Sequence, residues 1–135
     1  MPPALPTLWL LPGRYAVCRL DPDHRLDASL LGEDGELAVL ARAPGERSLV
    51  CREDLRPPGA RAETGFHALG VVGPLDFSLV GILAGLTGVL AGAEVPVFAI
   101  STYDTDYLLV PEASLARALE ALRAAGYEVD EPSSS

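Results

Sequence analysis

Bulky apolar residues fall at positions 79, 82, 83, 86 and 90, and again at 115, 119 and 122. Steps of three and four place such residues on one face of a helix, so helices are expected over 79–91 and 113–125. Gly126 follows the second as its stop signal. Around them lie short strand-like runs: FHALGVVG (66–73), PVFAIST (96–102), DYLLVPE (106–112) and YEV (127–129). The order is β-α-β-β-α-β, the ferredoxin-like arrangement of an α+β fold. Right-handed crossovers should place both helices on one face of the sheet, with its first and third strands adjacent.

The first half is shorter. RYAVCRL (14–20) reads as a strand and LDASLL (26–31) as one helical turn. ELAVLARAPGERSLVCRED (36–54) reads as two strands around a turn at Pro44 and Gly45. That gives a truncated βαββ module with no amphipathic helix to complete it. RPPGARAETG (56–65) has the composition of a linker. The expected division is a truncated module at 1–58, a complete one at 59–130 and a disordered tail at 131–135.

Composition narrows the function. The chain is 135 residues long, 49% hydrophobic and 21% charged, enough to bury a core. Nineteen acids face ten arginines, for a net charge of -9, which disfavours nucleic acid and anionic membranes. The absence of lysine excludes Schiff-base chemistry and a P-loop. Residues 77–93 are uncharged, but four glycines and flanking acids point to a core helix and not a span. The N-terminus has no positive region of a signal peptide. Cys18 and Cys51 match no metal or redox spacing and read as buried thiols of a cytoplasmic protein, or as a disulfide between neighbouring strands.

Two segments carry candidate chemistry. GPLDFS (73–78) precedes a helix, where Asp76 or Ser78 can cap the first turn or free N–H groups can hold a small carboxylate. ISTYDTDYLLV (100–110) gathers seven consecutive polar residues, more than a hairpin requires. They are either a turn closed by side-chain hydrogen bonds or a binding surface. In the second reading Asp104 and Asp106, two apart, point the same way and attract a cation, while Thr102 and Tyr103 add hydroxyls. A carboxylate at the helix and an ammonium at an aspartate would suit an amino acid. Two carboxylates without a nearby His or Cys make a poor metal site. His67 reads as a satisfied, partly buried side chain. No nucleophile–base pair, G-x-S-x-G elbow or dinucleotide fingerprint is present, so no catalytic residue, metal or cofactor is expected. Gly81, Gly85, Gly88 and Gly92 recur along the first helix and suggest close packing against a helix or subunit, or compositional bias.

The runs ERSLVCRED, LGVVGPLDFSLVGILAGL, VPVFAISTYDTDYLLVPE and ALEALRAAGY resemble the small bacterial ACT-domain proteins. Those are related to the ACT modules of aspartate kinases and to the arginine sensor CASTOR. The resemblance spans about residues 14–129. It implies paired ACT-like modules, the first truncated, that bind an amino acid at an ACT–ACT interface in a homodimer. By position, the loop contributes Asp76, Phe77, Ser78 and Leu79, and the facing segment Thr102, Tyr103, Asp104, Thr105 and Asp106. An acid matching Asp106 holds the ligand's positive end in CASTOR-like sensors. The arginine-binding module carries an acid where this chain has Leu79, so guanidinium specificity is not implied. The competing expectation is an ACT module that acts by protein interaction without a ligand.

Overall fold

The computed structural model describes residues 5–25, 27–32, 36–73 and 81–132. They form two compact units, Gly13–Phe66 and Met1–Pro12 together with His67–Ser135. These units divide at 12/13 and 66/67. The reason is strand pairing by the N-terminal segment, as the second unit shows.

In Gly13–Phe66, strand β2 (Tyr15–Leu20) lies antiparallel to β4 (Glu46–Arg52) and to residues 61–66 of β5 (Arg61–Val71). Strand β3 (Val39–Ala43) pairs with β4. Alternation buries one face, formed by Ala16, Cys18, Leu20, Leu49 and Cys51. The expected helical turn is a 3-10 turn at Ala28–Leu31, capped by Asp27, which accepts from the Ser29 N–H at 2.9 Å. Residues 56–65 are not a free linker. Pro57 and Ala60 close a turn (3.3 Å), and β5 begins at Arg61, with Ala60 and Ala62 packed against the core.

Both cysteines are buried and unbridged. Cys18 lies opposite Leu49 and Cys51 opposite Ala16, a diagonal placement across β2 and β4. Burial raises both thiol pKa values. Cys51 is pushed up to about 12, with the neighbouring Cys18 as a further cause. They remain neutral packing groups at physiological pH.

The second unit contains β1 (Leu8–Leu10), residues 67–71 of β5, α1 (Ile82–Gly92), β6 (Phe98–Ser101), β7 (Asp106–Pro111), α2 (Leu115–Ala124) and β8 (Val129–Asp130). From β5 onward the βαββαβ order is as expected, and the adjacent strands include β5 and β7. The N-terminal strand was not foreseen. It pairs antiparallel with β5 and parallel with β8, so it separates strands that a plain ferredoxin-like sheet would place side by side. The sheet order is β6-β7-β5-β1-β8.

Leu8, Leu69, Val71, Leu108 and Val110 from the strands meet Leu86, Leu90, Leu119 and Leu122 from the helices in one core. Helix α1 starts at Ile82, with Gly81 at φ 82° as its N-cap, later than the expected start at Leu79. Gly81 makes no side-chain cap bond, and Asp76 and Ser78, the expected capping residues, lie outside the described residues. None of the helices among the described residues is long and apolar enough to cross a membrane. Helix α2 ends in paired bonds from Gly126 N–H to Arg123 and from Tyr127 N–H to Leu122, with Gly126 at φ 103°. The glycine stripe has only a partial internal cause. A Cβ on Gly85 would lie 3.0 Å from Tyr127 Oη, whereas one on Gly88 or Gly92 would meet nothing within 4 Å.

Gly70 has the strictest requirement. It lies opposite Trp9 in the register of β1 and β5. A Cβ there would stand 2.6 Å from the Trp9 indole nitrogen and 3.1 Å from Tyr107 Cε1. A glycine inside a strand permits this close cover by aromatic rings. Gly70→Ala should overpack the site and lower stability by about 1–3 kcal/mol. Urea unfolding followed by the fluorescence of Trp9, the single tryptophan, checks this, and unchanged stability would contradict it.

Candidate functional site

The seven polar residues straddle a strand, a loop and a second strand. Ser101 ends β6 and pairs with Asp106, which starts β7. Four residues, 102–105, make the connection. The Thr102 N–H donates to the Thr105 carbonyl at 2.8 Å, and the Thr102 hydroxyl donates to the same oxygen at 3.1 Å. The Thr105 N–H returns a bond to the Thr102 hydroxyl oxygen at 3.3 Å. Ser101 donates its hydroxyl to Asp106 Oδ1 at 2.5 Å. Much of the polar cluster thus closes the hairpin, as small hydroxyl side chains do in turns.

One bond reaches beyond the hairpin. The Thr105 hydroxyl donates to the Val71 carbonyl at 2.7 Å. Val71 is the last residue of β5, and the chain passes from it through Val72 and Gly73 toward the glycine-capped start of α1. The bond therefore ties the hairpin to the strand end that leads into residues 74–80. Asp76, Phe77, Ser78 and Leu79, expected in the site, lie outside the described residues.

The structure separates the two aspartates by environment. Asp104 is exposed within the connecting loop, whereas Asp106 is partly buried at the head of β7. The same-side argument for residues two apart holds only within a strand, and Asp104 is not in one. The same-side argument therefore does not apply to this pair. Asp106 keeps acceptor capacity after the Ser101 bond, because a carboxylate offers about four lone-pair sites. Tyr103 is 80% exposed, and Tyr107 next to Asp106 touches the Gly70 position.

Ser101 and the Val71 carbonyl were missed as participants. The serine was legible as a hydroxyl opposite an acid across a hairpin; a backbone acceptor in a distant strand leaves no sequence signal. His67 is partly buried, but Nε2 has no hydrogen bond and lies 3.5 Å from Glu112 Oε1. The expectation of a satisfied histidine is corrected accordingly. No group of three or more metal-ligating side chains occurs among the described residues.

Residues 61–124 match the family model described as the ACT domain. The chain is 26% identical to a protein from Agobacterium tumefaciens, covering 98% of this chain and 97% of that one with a TM-score of 0.86. A protein of unknown function from Vibrio cholerae, named a possible transport protein, is 20% identical, with 87% and 88% covered and a TM-score of 0.67. The ligand-free regulatory subunit of aspartate kinase from Thermus thermophilus is 18% identical, with 91% and 99% covered and a TM-score of 0.62. The last two likenesses show the fold alone. The chain thus has a mixed α+β fold with an ACT domain, and it resembles the ACT-domain proteins.

Thr105→Val keeps the shape of the side chain and removes its donor. It should cost about 0.5–1.5 kcal/mol, as the loss of one hydrogen bond to a backbone carbonyl does. Denaturant unfolding measures this, and wild-type stability in the variant would show that the tie to Val71 contributes nothing.

Proposed function

We propose that the ACT domain at residues 61–124 is a non-catalytic regulatory module that binds an amino acid. The ligand sits at an ACT–ACT interface of a homodimer, between the loop of Asp76, Phe77, Ser78 and Leu79 and the segment of Thr102, Tyr103, Asp104, Thr105 and Asp106. The loop's backbone N–H groups take the carboxylate and Asp106 takes the ammonium group. The observation that supports this most is the Thr105–Val71 bond, which holds the acid-bearing hairpin at the strand end leading into that loop. The name of the Thermus thermophilus relative, a regulatory subunit, favours regulation over chemistry. We place the protein in the cytoplasm, in keeping with its two unbridged cysteines. As sequence modules, residues 1–58 are taken as the truncated one, residues 59–130 as the complete one and 131–135 as a tail, with the strand at Leu8–Leu10 pairing within the second compact unit.

A second reading has its own support. Ser101, Thr102 and Thr105 are engaged within the protein, as a hairpin without a ligand would require. An ACT module acting only by protein interaction would show no stabilisation by small molecules.

A thermal-shift screen of the twenty amino acids separates the two. A ligand at 100 times its Kd stabilises the folded state by about 2.7 kcal/mol. With that ligand, Asp106→Ala should lose about 2–5 kcal/mol of binding, roughly 30-fold to several thousand-fold in affinity. Asp104→Ala should lose much less. Calorimetry on both variants is the check, and wild-type affinity in Asp106→Ala would remove the aspartate from the site.

A further inference from the structure

A second candidate site lies wholly within the Gly13–Phe66 unit. A cleft of about 390 Å³ opens between the end of β2 and the start of β5, with Arg19, Asp21, Pro22, Pro58, Gly59 and Arg61 in its lining. This volume falls in the range of small-molecule pockets. Its walls are two tight turns. His24 N–H donates to the Asp21 carbonyl at 2.8 Å, and Ala60 N–H to the Pro57 carbonyl at 3.3 Å. Each turn has proline at its second position, Pro22 and Pro58, and Gly59 at φ 78° supplies the left-handed residue of the second. Proline fixes one backbone torsion in advance, so little order remains to be imposed when a ligand binds. Arg47 further pins the first turn by donating to the His24 carbonyl.

The charge arrangement is unusual for an acidic protein. Arg19 and Arg61 are direct cross-strand partners in the β2–β5 register. Directly opposed side chains have Cβ atoms about 4.5–5.5 Å apart, and like charges there destabilise the sheet. Arg19 makes one long bond, 3.4 Å, to the Gly45 carbonyl. Among the described residues the Arg61 guanidinium has no hydrogen bond or ion pair. The acid in the lining, Asp21, accepts from the Asp23 N–H at 3.3 Å. Two arginines thus border a cleft, and among the described residues neither forms an ion pair.

We propose that this cleft binds a small ligand bearing a doubly charged oxyanion, phosphoryl or dicarboxylate, bridged by Arg19 and Arg61. Guanidinium groups bind such oxygens in two-pronged fashion, and a dianion between two of them converts repulsion into attraction. Pro22 and Pro58 offer an apolar wall to the ligand's remainder. This site is separate from the amino-acid site and does not depend on it.

Calorimetric titration of the full chain with inorganic phosphate and, separately, with succinate tests the proposal and distinguishes the two oxyanions. Saturable binding of one of them is expected, weakened about tenfold or more by Arg61→Gln and by Arg19→Gln. Without anion, Arg61→Gln should melt at or above the wild-type temperature, because a repulsive pair is gone; lost binding then cannot be ascribed to lost folding. Arg123→Gln, which removes the same charge outside the cleft, should bind as wild type. The proposal is overturned by absence of saturable binding for both anions, by wild-type affinity in both cleft variants, or by equal weakening in Arg123→Gln.

Discussion

Because Gly70 has no side chain, Trp9 and Tyr107 can close over β5 near its end from the strands on either side. The contact lies on the helix-free face, while Leu69 and Val71 face the helices in the main core. It joins the N-terminal strand's backbone pairing and the burial of Leu8 and Leu10 in placing that strand, and Tyr107 carries it to the residue that follows Asp106. Packing in the sheet and the chemistry of the hairpin therefore meet at one position. The Thr105 bond to Val71 extends the same order to the end of β5.

Much of the fold was legible from local pattern. Leu86, Leu90, Leu119 and Leu122 were assigned to the core by helical spacing alone, and all four are buried. Gly126 ends α2 in the expected left-handed conformation. The strand at Leu8–Leu10 was not legible because the prolines before Trp9 suppress a strand reading, and its partners lie about sixty and a hundred and twenty residues away. Gly70 was the available clue, since a glycine within a strand signals close approach. Residues 56–65 misled for the opposite reason. Their prolines and glycine look like a linker, yet Ala60 and Ala62 alternate correctly to cover Cys18 and its neighbours.

The candidate site was legible as residue types and less so as geometry. Seven polar residues flagged the hairpin, but their division between turn and surface depends on which hydroxyls find acceptors. Ser101, Thr102 and Thr105 find them within the protein; Asp104 stays exposed and Asp106 retains unused acceptor capacity. Under the proposed function, that division leaves acidic groups, and not the whole polar run, to recognise the ligand. The arginine pair of the other unit escaped notice because Arg19 and Arg61 are forty-two residues apart and become neighbours only through register.

The central claim is that the hairpin and the loop entering α1 form one ligand site. Its most direct test is the amide NMR spectrum of the full chain, recorded with and without a mixture of the twenty amino acids at millimolar concentration. The account predicts shifts concentrated at residues 73–81 and 101–107. An unchanged spectrum, or shifts confined to other residues, would contradict it.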